Sequence, residues 1–201
     1  MNNDRDTIFS AIRAALDPLT ERTPNPKWER ELVICNPAGE FDSLKVQFAD
    51  KLAFNSSRYC DSLEALNEIL KAENSTFGYC DPKLAPLFET LEGITFETEY
   101  DEEKVNEYSF GITKASAAIA ESGTIMLKDG DTSSRMGALT PWIHIAVIKE
   151  SDIVASIPEA IDRFGDDPSI IFCTGPSKTA DIEGILIEGV HGPGIQIGYV
   201  I

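Results

Sequence analysis

Trp142-Ile143-His144-Ile145-Ala146-Val147-Ile148 is the longest run in the chain with the composition of a buried strand. Apolar residues fill both alternations, so a strand here must be covered on both faces rather than on one. Downstream, Ser156 and Glu159 have the spacing of a capping box. They open a helical pattern of Ile157, Ala160, Ile161 and Phe164 that Gly165 can end. Ile170-Ile171-Phe172-Cys173 then reads as the next strand. Strand, helix, strand with doubly buried strands is the grammar of a parallel sheet.

The same alternation extends upstream. Gly123-Thr124-Ile125-Met126-Leu127 is a strand after the small-residue segment 114–120, and Ile94 to Glu97 and Phe77-Gly78-Tyr79-Cys80 are two more. Helix signals lie between them, over Pro82 to Leu91 and over Leu63, Leu66 and Leu70, where Asp61 and Glu64 predict the capping box. The fold class is α/β, a mostly parallel sheet with helices on both faces.

Ile8, Ile12 and Leu16 recur at helical spacing before Pro18, Pro24 and Pro26, which predicts an N-terminal helical arm and linker over residues 1–30. The α/β domain is expected over 31–201, starting with the apolar run Leu32-Val33-Ile34-Cys35 and a helix carrying Phe41, Leu44, Phe48 and Leu52. At 201 residues and 42% hydrophobic content, the chain suffices for one well-buried core and is short for two.

Asp and Glu number 34 against 17 Lys and Arg, a surface that repels nucleic acid and anionic lipid alike. No apolar stretch approaches a membrane span, and the polar amino terminus is unlike a secretory leader, so a cytosolic location is expected. Cys35, Cys60, Cys80 and Cys173 lie far apart, without the clustering that grips iron–sulphur clusters or structural zinc. They are expected to be reduced thiols, and the two histidines and dispersed acids offer no metal-ligand spacing, so neither metal nor cofactor is expected.

Chemistry can sit in several places. Cys173-Thr174-Gly175-Pro176-Ser177-Lys178-Thr179-Ala180-Asp181 puts a small-residue turn and a cation after a strand and before an expected helix, aiming backbone N–H groups at the carboxyl edge of a sheet. Anion binding and plain helix capping by Ser177 are both consistent with it. Glu121, before Ser122 and Gly123, reads as a nucleophile, base or anchor, or as a solvated strand-edge residue. His144 reads as a hydrogen-bonded core histidine. His191, inside Gly189-Val190-His191-Gly192-Pro193-Gly194, suits acid–base or anion-binding work as well as loop packing. Arg135 offers a guanidinium fork or is a surface arginine. Walker, dinucleotide-binding and serine-hydrolase loops are absent.

Gly111-Ile112-Thr113, Ala118-Ile119-Ala120-Glu121-Ser122-Gly123-Thr124, Arg135, Pro141 with His144, Thr174 to Glu183 and Gly189-Val190-His191-Gly192-Pro193 together resemble the ordered signature of the lactate-utilisation protein C family, the LUD-domain proteins. The resemblance covers roughly the C-terminal half at motif level. It implies a fold like that of phosphosugar isomerases, coenzyme A transferases and formyltetrahydrofolate cyclo-ligases. It also implies a non-redox role beside iron–sulphur partner proteins in oxidising lactate to pyruvate. The site it implies for a small organic anion draws on Thr124, Arg135 and His144, on Gly175, Ser177, Lys178, Thr179 and Asp181, and on His191 and Gly192, with Glu121 as the catalytic candidate. This chain departs from the family pattern at Ser122 (usually Thr), Lys178 (often Arg) and Ile197 (often His). A stand-alone enzyme remains the competing reading, either acyl transfer through Glu121 or a phosphosugar or nucleotide chemistry. A metabolite-sensing module is a third, and self-association is left open.

Overall fold

The computed structural model describes residues 2–19, 41–165, 167, 169–180 and 185–201. The chain divides into two compact units, residues 1–34 and 35–201. In the first, α1 spans Asn2–Leu16. The strand expected at 32–35, with Cys35, lies outside the described residues.

The second unit is built on six parallel strands in the order β1-β12-β7-β4-β2-β3. These are β1 (Arg58–Cys60), β2 (Phe77–Cys80), β3 (Thr95–Glu97), β4 (Phe110–Lys114), β7 (Ile143–Ile148) and β12 (Ile195–Val200). Every residue of β7 is buried, as its composition predicts. Ile143, Ile145 and Val147 enter one core with Leu66 and Leu70 of α3 (Leu63–Ala72) and Phe88 of α4 (Ala85–Phe88). Ala146 and Ile148 enter another with Phe48 and Leu52 of α2 (Leu44–Phe54) and Ala138 of α5 (Arg135–Leu139). Helices thus cover both faces, and burying a side chain such as Phe48 or Leu52 contributes about 1.5–3 kcal/mol. Gly198 lets α2 come close: a Cβ there would stand 2.8 Å from Leu52 Cδ1.

Three local expectations are corrected. Ser62, not Asp61, caps α3, its hydroxyl accepting from Ala65 N at 3.2 Å. The small-residue segment holds a strand, β5 (Ala117–Ile119), buried throughout because alanine leaves room for close packing. Together with β6 (Thr124–Lys128), β8 (Ile153–Val154) and β9 (Ile170–Cys173) it forms a second sheet, β8-β5-β6-β9, in which β6 runs antiparallel to both neighbours. β9 therefore lies outside the parallel sheet, and no helix follows its turn. Residues Lys178–Ala180 form β10, paired antiparallel with β11 (Leu186–Glu188). The Ser156 cap is as expected: α6 (Ile157–Phe164) starts with Ser156 Oγ accepting from Glu159 N, and Glu159 Oε2 reaches back to Ala155 N.

Among the described residues, no helix is long and apolar enough to cross a membrane. Cys60, Cys80 and Cys173 are free. Burial, with the nearby Asp81 carboxylate, pushes the Cys80 thiol up to about 12, and burial pushes Cys173 up to about 11. Both remain protonated at neutral pH, so neither is an activated nucleophile.

Candidate functional site

β12 is the last strand yet lies inside the sheet between β1 and β7, so the loop before it returns the chain to the amino ends of the central strands. In that register Gln196 pairs with His144, each the second residue of its strand. Both line a cavity of about 330 Å³. Leu139 and Cys173 supply an apolar side, Thr174, Gly175, Ser177 and Lys178 come from the β9–β10 segment, and His191, Gly192 and Pro193 from the loop before β12.

Hydrogen bonds stitch these two loops together. Ser177 N donates to Pro193 O at 2.8 Å, Gly189 N to Ser177 O at 2.9 Å, and His191 N to Ser177 Oγ at 3.3 Å. Ser177 is thus a clamp between loops rather than a helix cap. Gly175 needs to be glycine: its φ is +85°, and a Cβ would stand 2.6 Å from Asn55 O. Behind the cavity, the hydroxyls of Ser122, Thr124 and Thr174 form a chain with 2.7 Å links, and Asn55 Nδ2 donates to Ser122 O at 2.6 Å. The segment containing Thr124 is thereby fixed to the cavity wall, one hydroxyl removed from the cavity itself.

The floor is neutral and the rim is cationic. His144 is 1% exposed and its Nε2 lies 2.9 Å from Thr113 Oγ1. Burial holds its pKa down at about 4, so the ring is uncharged at neutral pH. At the rim, Lys178 Nζ donates to Ser56 Oγ at 3.1 Å and stands 3.8 Å from Glu188. With 36% of its side chain exposed, that ion pair is weak and leaves the ammonium available to an anion.

The structure thus gathers His144, Gly175, Ser177, Lys178, His191 and Gly192 around one cavity and sets Thr124 behind it. Thr179, Arg135 and Glu121 are engaged elsewhere. Thr179 sits in β10 opposite Ile187. Arg135, at the start of α5, commits its guanidinium to Asp129 and to Ser169 Oγ. Glu121 Oε1 accepts from Ile157 N at 2.9 Å, the first residue of α6. Asp181 lies outside the described residues. The edge also differs from expectation: the cavity opens at the amino ends of β7 and β12, because the turn after β9 leads into a hairpin instead of a helix on the parallel sheet.

No sequence motif marks Gln196 or the Ser56-Ser57 pair. Gln196 was detectable as an inward polar residue in an otherwise buried strand. Its neighbour Ile197 points to the opposite face and packs in the core with Ile143 and Ile145.

The profile of the LUD domain matches residues 59–201. The chain belongs to the LUD-domain family. A 99-residue stretch is 37% identical to lactate utilization protein C of Oceanobacillus iheyensis, covering 45% of this chain and 42% of that protein. Another 99-residue match, at 44% identity, is to the protein of that name in Geobacillus sp. (strain WCH70), covering 45% and 41%. The Bacillus subtilis protein of that name is 36% identical over 106 residues, 49% of this chain and 44% of that protein. The matched part of the chain thus spans less than half the length of these curated relatives. A DUF162 family protein from Deinococcus radiodurans has the same fold, with a TM-score of 0.55 at 24% identity, over 79% of this chain and 96% of that one.

Within this LUD domain, the Glu121 carboxylate meets the N-terminus of α6, where a negative charge contributes about 0.3–1 kcal/mol. Glu121→Gln is expected to lower stability by an amount in that range in urea unfolding and to leave the affinity of the cavity for anions within about twofold. A tenfold loss of anion affinity would assign the carboxylate to the site.

Proposed function

We propose that this LUD domain is the non-redox component of a cytoplasmic lactate-utilisation system, binding a small organic anion while iron–sulphur partner proteins carry the electrons. The curated relatives named lactate utilization protein C support the setting. The observation that carries the anion reading is the convergence of Lys178, His191 and Ser177 on a single cavity with a buried neutral floor. A cation at the mouth draws a carboxylate in, and the cavity walls shield the pair from water.

Thermal-shift titration of the full chain with L-lactate and pyruvate tests this, because a ligand that binds the folded state alone raises its stability. A saturable shift is expected, with affinity falling about tenfold in Lys178→Ala as one charge-assisted hydrogen bond is lost. No saturable shift with either acid would refute the anion reading.

A further inference from the structure

The inner end of the cavity is more specific than its rim. Gln196 is 2% exposed, and Ser57 Oγ donates to its Oε1 at 3.3 Å. Its Nε2 is buried and has no hydrogen-bond partner among the described residues. An unpaired buried amide N–H leaves its desolvation uncompensated, a penalty relieved by any ligand that brings an acceptor oxygen. Consecutive hydroxyls connect this group to the rim: Ser57 touches Gln196 while Ser56 touches Lys178. Ser56 holds φ at +63°, a left-handed conformation that serine adopts at a cost, in the turn between α2 and β1.

A carboxylate does not belong at that inner end. Gln196 and the buried, neutral His144 are side by side in register, and neither carries the positive charge that a desolvated anion requires. The ammonium of Lys178 is at the mouth. A ligand that satisfies both ends is an acid whose carboxylate faces Lys178 and whose uncharged oxygen, hydroxyl or carbonyl, reaches inward.

We propose that Gln196 reads the 2-oxygen of a 2-hydroxy or 2-oxo carboxylate by donating Nε2–H to it, which makes Gln196 the specificity determinant of this cavity. This rests on the anion reading above and adds which part of the acid is recognised and by what.

Two acid pairs separate the parts: L-lactate and pyruvate, each against propionate, which has the same carboxylate and no 2-oxygen. Titration calorimetry of the full chain is expected to show both oxygenated acids binding at least tenfold more tightly than propionate. In Gln196→Met, which keeps the length and removes the donor, that preference falls to within about twofold; Lys178→Ala weakens all three acids and keeps the preference. Wild-type protein that binds propionate as tightly as lactate and pyruvate overturns the proposal and leaves the anion reading standing. So does a preference that survives in Gln196→Met. Failure of all three acids to bind wild-type protein overturns both. The wild-type comparison needs no variant, so poor folding of Gln196→Met would not shelter the proposal.

Discussion

Gly111→Ala is expected to lower the stability of the folded chain by about 3 kcal/mol, the upper range for overpacking a tightly filled core. Gly111 is on β4 beside His144, with the carbonyl of Gly137 in α5 directly over its Cα. A methyl group there would overlap that carbonyl and press on Pro141 Cγ at 3.2 Å. The obstacle is helix backbone, so no rotamer change relieves it, and α5 must move off the sheet. Gly137 has no slack to give, because its own Cα lies against the ring of Tyr79. Urea unfolding measures the loss, and a change below about 1 kcal/mol would show that α5 is less tightly seated than the structure has it. Leu139, at the end of α5, lines the cavity, so the same substitution is expected to weaken acid binding.

Acidification should destabilise the protein through His144. Its pKa is 6.5 in an unfolded chain and about 4 when folded, held down by burial. Between those values the unfolded state binds the proton and the folded state does not, so stability falls as pH falls. The full contribution is present above about pH 6.5 and is lost progressively down to about pH 4, amounting to roughly 3 kcal/mol. Wild-type protein compared with His144→Gln isolates this from the carboxylates: relative to the variant, wild type should lose about 2 kcal/mol between pH 7 and pH 5. Parallel pH profiles for the two proteins would mean that the ring is solvated or charged in the folded state.

The central sheet was legible because its strands carry their own signature. β7 is apolar on both alternations, and that pattern forces two covering layers whatever follows it. The second sheet was not, because β5 is three residues, two of them alanines that disfavour strands, and is held as a strand by its neighbours β6 and β8. Without that sheet, the turn after β9 is read at the carboxyl edge, a placement that holds only if β9 belongs to the parallel sheet. Lys178, His191 and their glycines were legible as residue types at turns. Gln196 is legible only as a polar residue in an otherwise buried strand, since its role depends on being beside His144, which sequence order separates by the whole of α6 and the β10–β11 hairpin.

Amide chemical-shift mapping of the full chain titrated with pyruvate tests the location most directly. Saturable shifts are expected, centred on Gly175, Ser177, Lys178, His191, Gly192 and Gln196, at the amino ends of β7 and β12. Shifts centred instead on the opposite edge, at Asp81, Lys114 and Ser133, would contradict it.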